Sequence, residues 1–211
     1  GGVGGYTQAS QLRVVSYALL DTAAPSQRYR SEAGKVLKSL ERLAPIATES
    51  RQVTTLEYFR LWEAVRTLNP DPAVGILLVT QLEIAALAPS SFAAFIARDY
   101  RDGLHRLARF KQLCTPERLL VAEDGRTCTV TIDWLHTPEL PPARLVDAAF
   151  ATFVELGRRG SRAQIIPLTV ELARPDDGSR ALAEFFGCPV RFGAGRNALV
   201  LDAADLDRSF P

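Results

Sequence analysis

The chain has 211 residues, 47% of them hydrophobic and 23% charged, with a formal net charge of +1. Such a length buries roughly 70% of the extended chain's surface and such a composition excludes a disordered or fibrous protein, while the even charge lacks the basic signature of a nucleic-acid-binding surface. Three widely spaced cysteines, Cys114, Cys128 and Cys188, argue against a disulfide framework and for a reducing, cytoplasmic compartment; no apolar run of about 18 residues or cleavable leader suggests membrane insertion or secretion.

Gly1 to Gly5, in a chain without methionine, read as a linker at a trimmed start, so residues 1–9 are set aside. The expectation is one domain over 10–211, with a helical part at 10–114 and a sheet part at 115–211. Gln11–Leu20 and Tyr29–Leu43 read as helices separated by a turn at Pro25-Ser26. Thr54-x-x-Glu57 has capping-box spacing, and behind it Tyr58, Leu61, Trp62, Val65 and Leu68 share one helical face before Pro70. Pro72 begins a pattern through Leu87 that is apolar nearly all round, which predicts deep burial. Ser90 or Ser91 can cap a helix containing Phe92 and Phe95. In the next helix Tyr100, Leu104, Leu107 and Phe110 point inward, opposite Arg101, His105, Arg109 and Gln112.

From Glu117 the period changes to two. Leu119 and Val121 alternate, Asp124-Gly125 signals a hairpin turn, and Cys128, Val130, Ile132 and Trp134 repeat on the returning strand. Pro142 can open a helix whose Val146, Ala149, Phe150, Phe153 and Val154 form one face, with Gly157 and Gly160 expected to close it. Ile166, Leu168, Val170 and Leu172 read as a further alternating strand, and Pro167 on its outward set suggests an edge or a bulge. Asp176 or Asp177 can cap a short helix that ends at Phe186, with Gly187 supplying the left-handed residue. Val190–Phe192 and Ala198–Leu201, on either side of Gly193-Ala194-Gly195, predict a closing β-hairpin. The order is helices, then strand-strand-helix-strand-helix-strand-strand. It implies an α+β fold with a mostly antiparallel sheet covered by helices on one face.

Catalytic templates are missing. There is no Gly-x-Ser-x-Gly elbow and no phosphate loop, and Gly193-Ala194-Gly195 is only a fragment of a dinucleotide fingerprint. With His105 and His136 the only histidines, a zinc site would need remote residues to converge. Cys188 is a conceivable thiol nucleophile but reads more simply as buried packing. The aromatic residues Tyr58, Trp62 and Trp134, with His136 two residues on, carry polar handles suited to a small-molecule pocket between helix and sheet; ordinary core packing is the competing reading. Arg109 and His105 share a face that can recognise an anion or simply meet water, and Arg191 and Arg196 flank the closing strands as anion or partner contacts or as solvated surface.

Phe-Phe-Gly-Cys-Pro-Val-Arg-Phe-Gly-Ala at 185–194, Asn197-Ala198-Leu199-Val200 and Leu206-Asp207-Arg208 resemble the closing segment of the effector-binding and dimerisation domain in one branch of the AraC/XylS bacterial transcription regulators. Tyr58 to Ala64, Asn69 to Ala73 with Gly75, and Gly103 to Phe110 resemble the start and middle of the same domain, so the likeness covers roughly Arg51 to Pro211. It implies a non-enzymatic domain without cofactor or metal that binds a small cytoplasmic effector and forms a homodimer. It also implies that promoter DNA is read by a carboxy-terminal helix-turn-helix module, expected to be absent from this chain. The alternatives are a small-molecule-transforming α+β enzyme and a ligand-free dimerisation module.

Overall fold

A computed structural model describes residues 54–80, 89–112 and 117–211. The helices expected at Gln11–Leu20 and Tyr29–Leu43, the stretch from Gln81 to Ala88 with Leu82 and Ile84, and Cys114 lie outside the described residues. In chain order the elements are α1 (Thr55–Leu68), α2 (Val74–Thr80), α3 (Pro89–Phe95), α4 (Tyr100–Lys111), β1 (Glu117–Asp124), β2 (Thr127–Trp134), α5 (Ala143–Ser161), β3 (Thr169–Leu172), α6 (Ala181–Phe186), β4 (Val190–Phe192), β5 (Ala198–Asp202) and a 3-10 turn at Ala203–Asp207. The class is α+β, as the periodicities require: helices, then a five-stranded mixed, mostly antiparallel sheet with helices packed on it.

Local signals hold where they rest on turn and cap chemistry. The capping box closes in both directions, with Thr54 accepting from the Glu57 amide and Glu57 accepting from the Thr54 amide at 2.7 Å. Gly125 takes the first central position of a two-residue hairpin turn at φ 56°, which sets Asp124 opposite Thr127 and leaves Leu119, Cys128 and Val130 on the buried face. Gly187 ends α6 at φ 71°.

The closing hairpin does not form. The sheet order is β1-β2-β5-β3-β4, so β3 lies between the two strands expected to pair, antiparallel to β5 and parallel to β4. The loop from Gly193 to Asn197 passes over the end of β3: the Gly193 amide donates to Arg174 O, the Ala194 amide to Leu172 O, and the Asn197 side-chain Oδ1 accepts from the Ala173 amide. Two of its backbone amides are therefore satisfied at the end of the strand it straddles rather than by a hairpin's cross-strand bonds.

Four further expectations are corrected. β3 is an interior strand that starts at Thr169; Pro167 precedes it and is buried, while Ile166 and Leu168 are exposed, so there is no alternating edge from residue 166. Ser90 and Ser91 lie inside α3, not at its cap. Asp176 and Asp177 accept amides within their own loop, from Gly178 and Ser179, and Ser179 accepts from the Ala181 amide at the start of α6. Gly157 and Gly160 sit within α5, which ends at Arg162 in the left-handed region at φ 53°. Their role is close approach: a Cβ on Gly157 would lie 2.8 Å from the Tyr100 ring, and one on Gly160 would strike the ring of Phe210.

α5 is the centre of the core. Phe150, Phe153 and Val154 are fully buried with Tyr100, Leu104 and Leu107 of α4 and with Val170, Leu172, Leu199 and Leu201 of the sheet. Its other flank, Leu145 and Ala148, joins a second cluster with Tyr58, Phe59, Trp62 and Val65 of α1 and Val74 and Leu78 of α2. One helix thus buries apolar surface toward both the sheet and the helical half.

Candidate functional site

The amino-terminal end of α5 adjoins two groupings of side chains. The first is aromatic. α1 presents Tyr58 and Trp62 one turn apart, and Trp134 ends β2 beside them. Tyr58 and Trp62 meet edge to face at 6.5 Å between ring centroids, Tyr58 and Trp134 at 6.1 Å, and Phe59 and Trp134 edge to face at 5.1 Å. The Thr55 hydroxyl donates to Leu135 O at 3.0 Å and fastens the start of α1 to the connection after β2. Glu117, opposite Trp134 in the hairpin and 2% exposed, is ion-paired with Lys111. Burial, then the Glu117 charge, pushes the Tyr58 hydroxyl above the usual tyrosine range.

The eight residues singled out from sequence fall in different places. Tyr58, Trp62 and Trp134 come together. His136 follows Trp134 on the surface at φ 67°, an uncommon conformation for a residue with a side chain. His105 and Arg109 are exposed on α4, along the face where Arg101 pairs with Glu123 at 2.9 Å and with Asp207. Arg191 and Arg196 flank Glu171 at 3.5 Å and 2.9 Å near the β4 edge. Phe59 escaped notice because it lies beside the stripe that Tyr58 and Trp62 define; α1 buries a wider arc than that stripe.

The second grouping is ionic. Asp147, 1% exposed, lies between two arginines: its Oδ1 is 2.8 Å from Arg174 NH1, and its Oδ2 accepts from Arg174 NH2 at 3.1 Å and from Arg144 NH1 at 3.4 Å. Arg174 NH1 also donates to Ala143 O at 3.0 Å, and Asp177 stands 3.6 Å from Arg144 at the rim. Burial raises the Asp147 carboxyl above the usual carboxylate range, against the pull of Arg174 and Arg144. Beside this group is a cavity of about 60 Å³ walled by Leu140, Pro141, Ala143, Val146, Arg174 and Asn197. The sequence carried one signal of it: Arg144 and Asp147 interrupt an otherwise apolar helical segment. Nothing local pointed to Arg174, which arrives from the loop after β3.

Burial also pushes the Cys128 thiol up to about 11 and raises that of Cys188, the opposite of what an activated thiolate needs.

A family model described as the arabinose-binding domain of AraC transcription regulator, N-terminal, matches residues 39–210. The crystal structure of transcriptional regulator CdpR from Pseudomonas aeruginosa is similar at a TM-score of 0.58 and 18% identity, over 95% of this chain and 57% of that one, a likeness of fold. The present chain therefore spans little more than half the length of that regulator. No curated protein matches it. The protein is a regulator's ligand-binding domain rather than an enzyme. In particular, it belongs to the family of N-terminal arabinose-binding domains of AraC-type transcription regulators.

Proposed function

We propose that this domain senses a small cytoplasmic effector at the seam between its helical half and its sheet, pairs with a second copy, and so controls an attached DNA-binding module. The observation that supports the reading most is the meeting of Tyr58, Trp62 and Trp134, from α1 and from the end of β2, against Leu145 and Ala148 of α5. A ligand that changes how α1 sits on β2 alters how the two halves pack. Only a difference in its affinity between two such arrangements can be transmitted onward.

Trp62 and Trp134 are the chain's two tryptophans, so tryptophan emission, excited selectively over the tyrosines, reports this seam. Titration with a metabolite panel is expected to give a saturable fluorescence change with at least one compound, without turnover of it, and sedimentation is expected to give a dimer. Flat titrations across the panel together with an unchanged dimer would favour a ligand-free pairing module instead.

A further inference from the structure

We propose that the cavity beside Arg174 is a subsite for the carboxylate of a small monoanionic ligand. Among the described residues, three buried side-chain polar atoms have no hydrogen-bond partner: Arg144 Nε, Asp147 Oδ1 and Arg174 Nε. All three belong to one cluster. Buried polar atoms are nearly always satisfied, so the unused donor Arg174 Nε on a residue that walls a cavity marks a place for an acceptor; Asp147 Oδ1, itself an acceptor, gains nothing from a carboxylate. Asp147 Oδ1 is close enough to Arg174 NH1 for an ion pair, yet too oblique for a hydrogen bond.

The chemistry of the missing partner follows from what Arg174 already holds. Its NH1 serves Ala143 O and its NH2 serves Asp147, so the donors facing Asp147 are engaged while Nε is not. A guanidinium edge is matched in geometry by two carboxylate oxygens, which it binds side by side. Buried Arg144 and partly buried Arg174 share the one buried Asp147; Asp177 lies near Arg144 only and is about a third exposed, so a single further negative charge suits the Arg174 side. The cavity reaches the first residue of α5, a 19-residue helix with no side-chain cap, whose positive end adds to the attraction. Leu140, Pro141 and Val146 supply apolar walls for a short alkyl stem. Leu140 is 77% exposed, so turning it aside to admit a ligand uncovers little surface.

This deepens the sensing role proposed above and rests on it for its purpose, though not for its chemistry. The probe is butyrate, with sodium chloride at equal ionic strength and inorganic phosphate as comparisons. Thermal unfolding of the chain should shift upward saturably with butyrate, by about 5 °C at a hundredfold excess over Kd, and with neither comparison salt. Leu140→Asp sets a carboxylate at the mouth on an exposed position and should weaken butyrate at least tenfold without disturbing the fold; Arg174→Gln should abolish the shift. No saturable shift, an equal shift with phosphate, or full retention in Leu140→Asp would overturn the proposal. A neutral metabolite that alters tryptophan fluorescence while butyrate does nothing would sink this subsite and leave the sensing role standing. Butyrate binding with a flat metabolite panel and no effect on pairing would do the reverse.

Discussion

The two ends of α5 are built on opposite principles. At its carboxy-terminal end the packing is close and its polar groups are paired: Gly157 and Gly160 admit the rings of Tyr100 and Phe210, the Tyr100 hydroxyl donates to Phe153 O at 2.9 Å, and Arg158 donates to Ile165 O and Phe185 O, each at 3.0 Å. At its amino-terminal end buried Arg144 and Asp147 and partly buried Arg174 each keep one buried atom without a hydrogen bond, a cavity adjoins them, and the aromatic seam lies on the neighbouring flank. One end fixes the helix while the other leaves interactions for a ligand to make. A sensor needs both, because an end that can rearrange transmits nothing unless the other end is held.

That contrast can be broken by experiment. The largest effect is expected from Asp147→Ala, which leaves buried Arg144 and partly buried Arg174 without their shared partner and should cost about 3–5 kcal/mol by urea unfolding. A loss below about 1 kcal/mol would mean that the cluster is already well hydrated and the two ends differ less than described. Gly157→Ala tests the closed end. Its methyl would press on a ring fixed by a hydrogen bond, and overpacking of about 1–3 kcal/mol, reduced by alanine's better helix propensity, should leave a net loss of about 1–2 kcal/mol.

A smaller effect is expected at the start of α4, where Asp99 accepts from the Asp102 amide at 2.8 Å. Asp99→Ala should cost about 1 kcal/mol at neutral pH. Although burial by itself raises the Asp99 carboxyl, the Asp102 amide and Arg98 outweigh it and hold the group below the usual range. A lowered folded-state value means that this stabilisation is present above the ordinary carboxylate value of about 3.9 and is lost as pH falls through the folded one. The stability gap between the wild type and Asp99→Ala should therefore close in acid, and a gap that persists at low pH would assign it to something other than the charged cap. The smallest effect is predicted for Leu140→Ser, which should shift stability by no more than about 0.5 kcal/mol and so isolate any change in ligand binding from a change in fold.

The wrong expectations share a cause. Val190–Phe192 and Ala198–Asp202 have the turn residues of a hairpin, but whether two strands pair or admit a third between them depends on where β3 arrives, which no local pattern contains. Gly157 and Gly160 look like terminators because glycine weakens helices; only the rings of Tyr100 and Phe210, from α4 and from the end of the chain, show why it is tolerated. Tyr58, Trp62 and Trp134 were legible as members of one buried aromatic cluster because each lies on an apolar face that must turn inward. Arg174 was not legible, since an arginine in a loop acquires a role only when Asp147 is brought to it.

From the residues alone came the α+β class, the order of strands and helices along the chain, the capping box, the Asp124-Gly125 turn and the likeness to AraC-type sensors. These depend on periodicity and on backbone chemistry within a few residues. The tertiary structure alone decided that β3 separates the last two strands, that α5 serves two cores at once, and that Arg144, Asp147 and Arg174 share one buried cluster. Each of these is a meeting of segments distant in sequence, and its free energy exists only after the chain has closed around it.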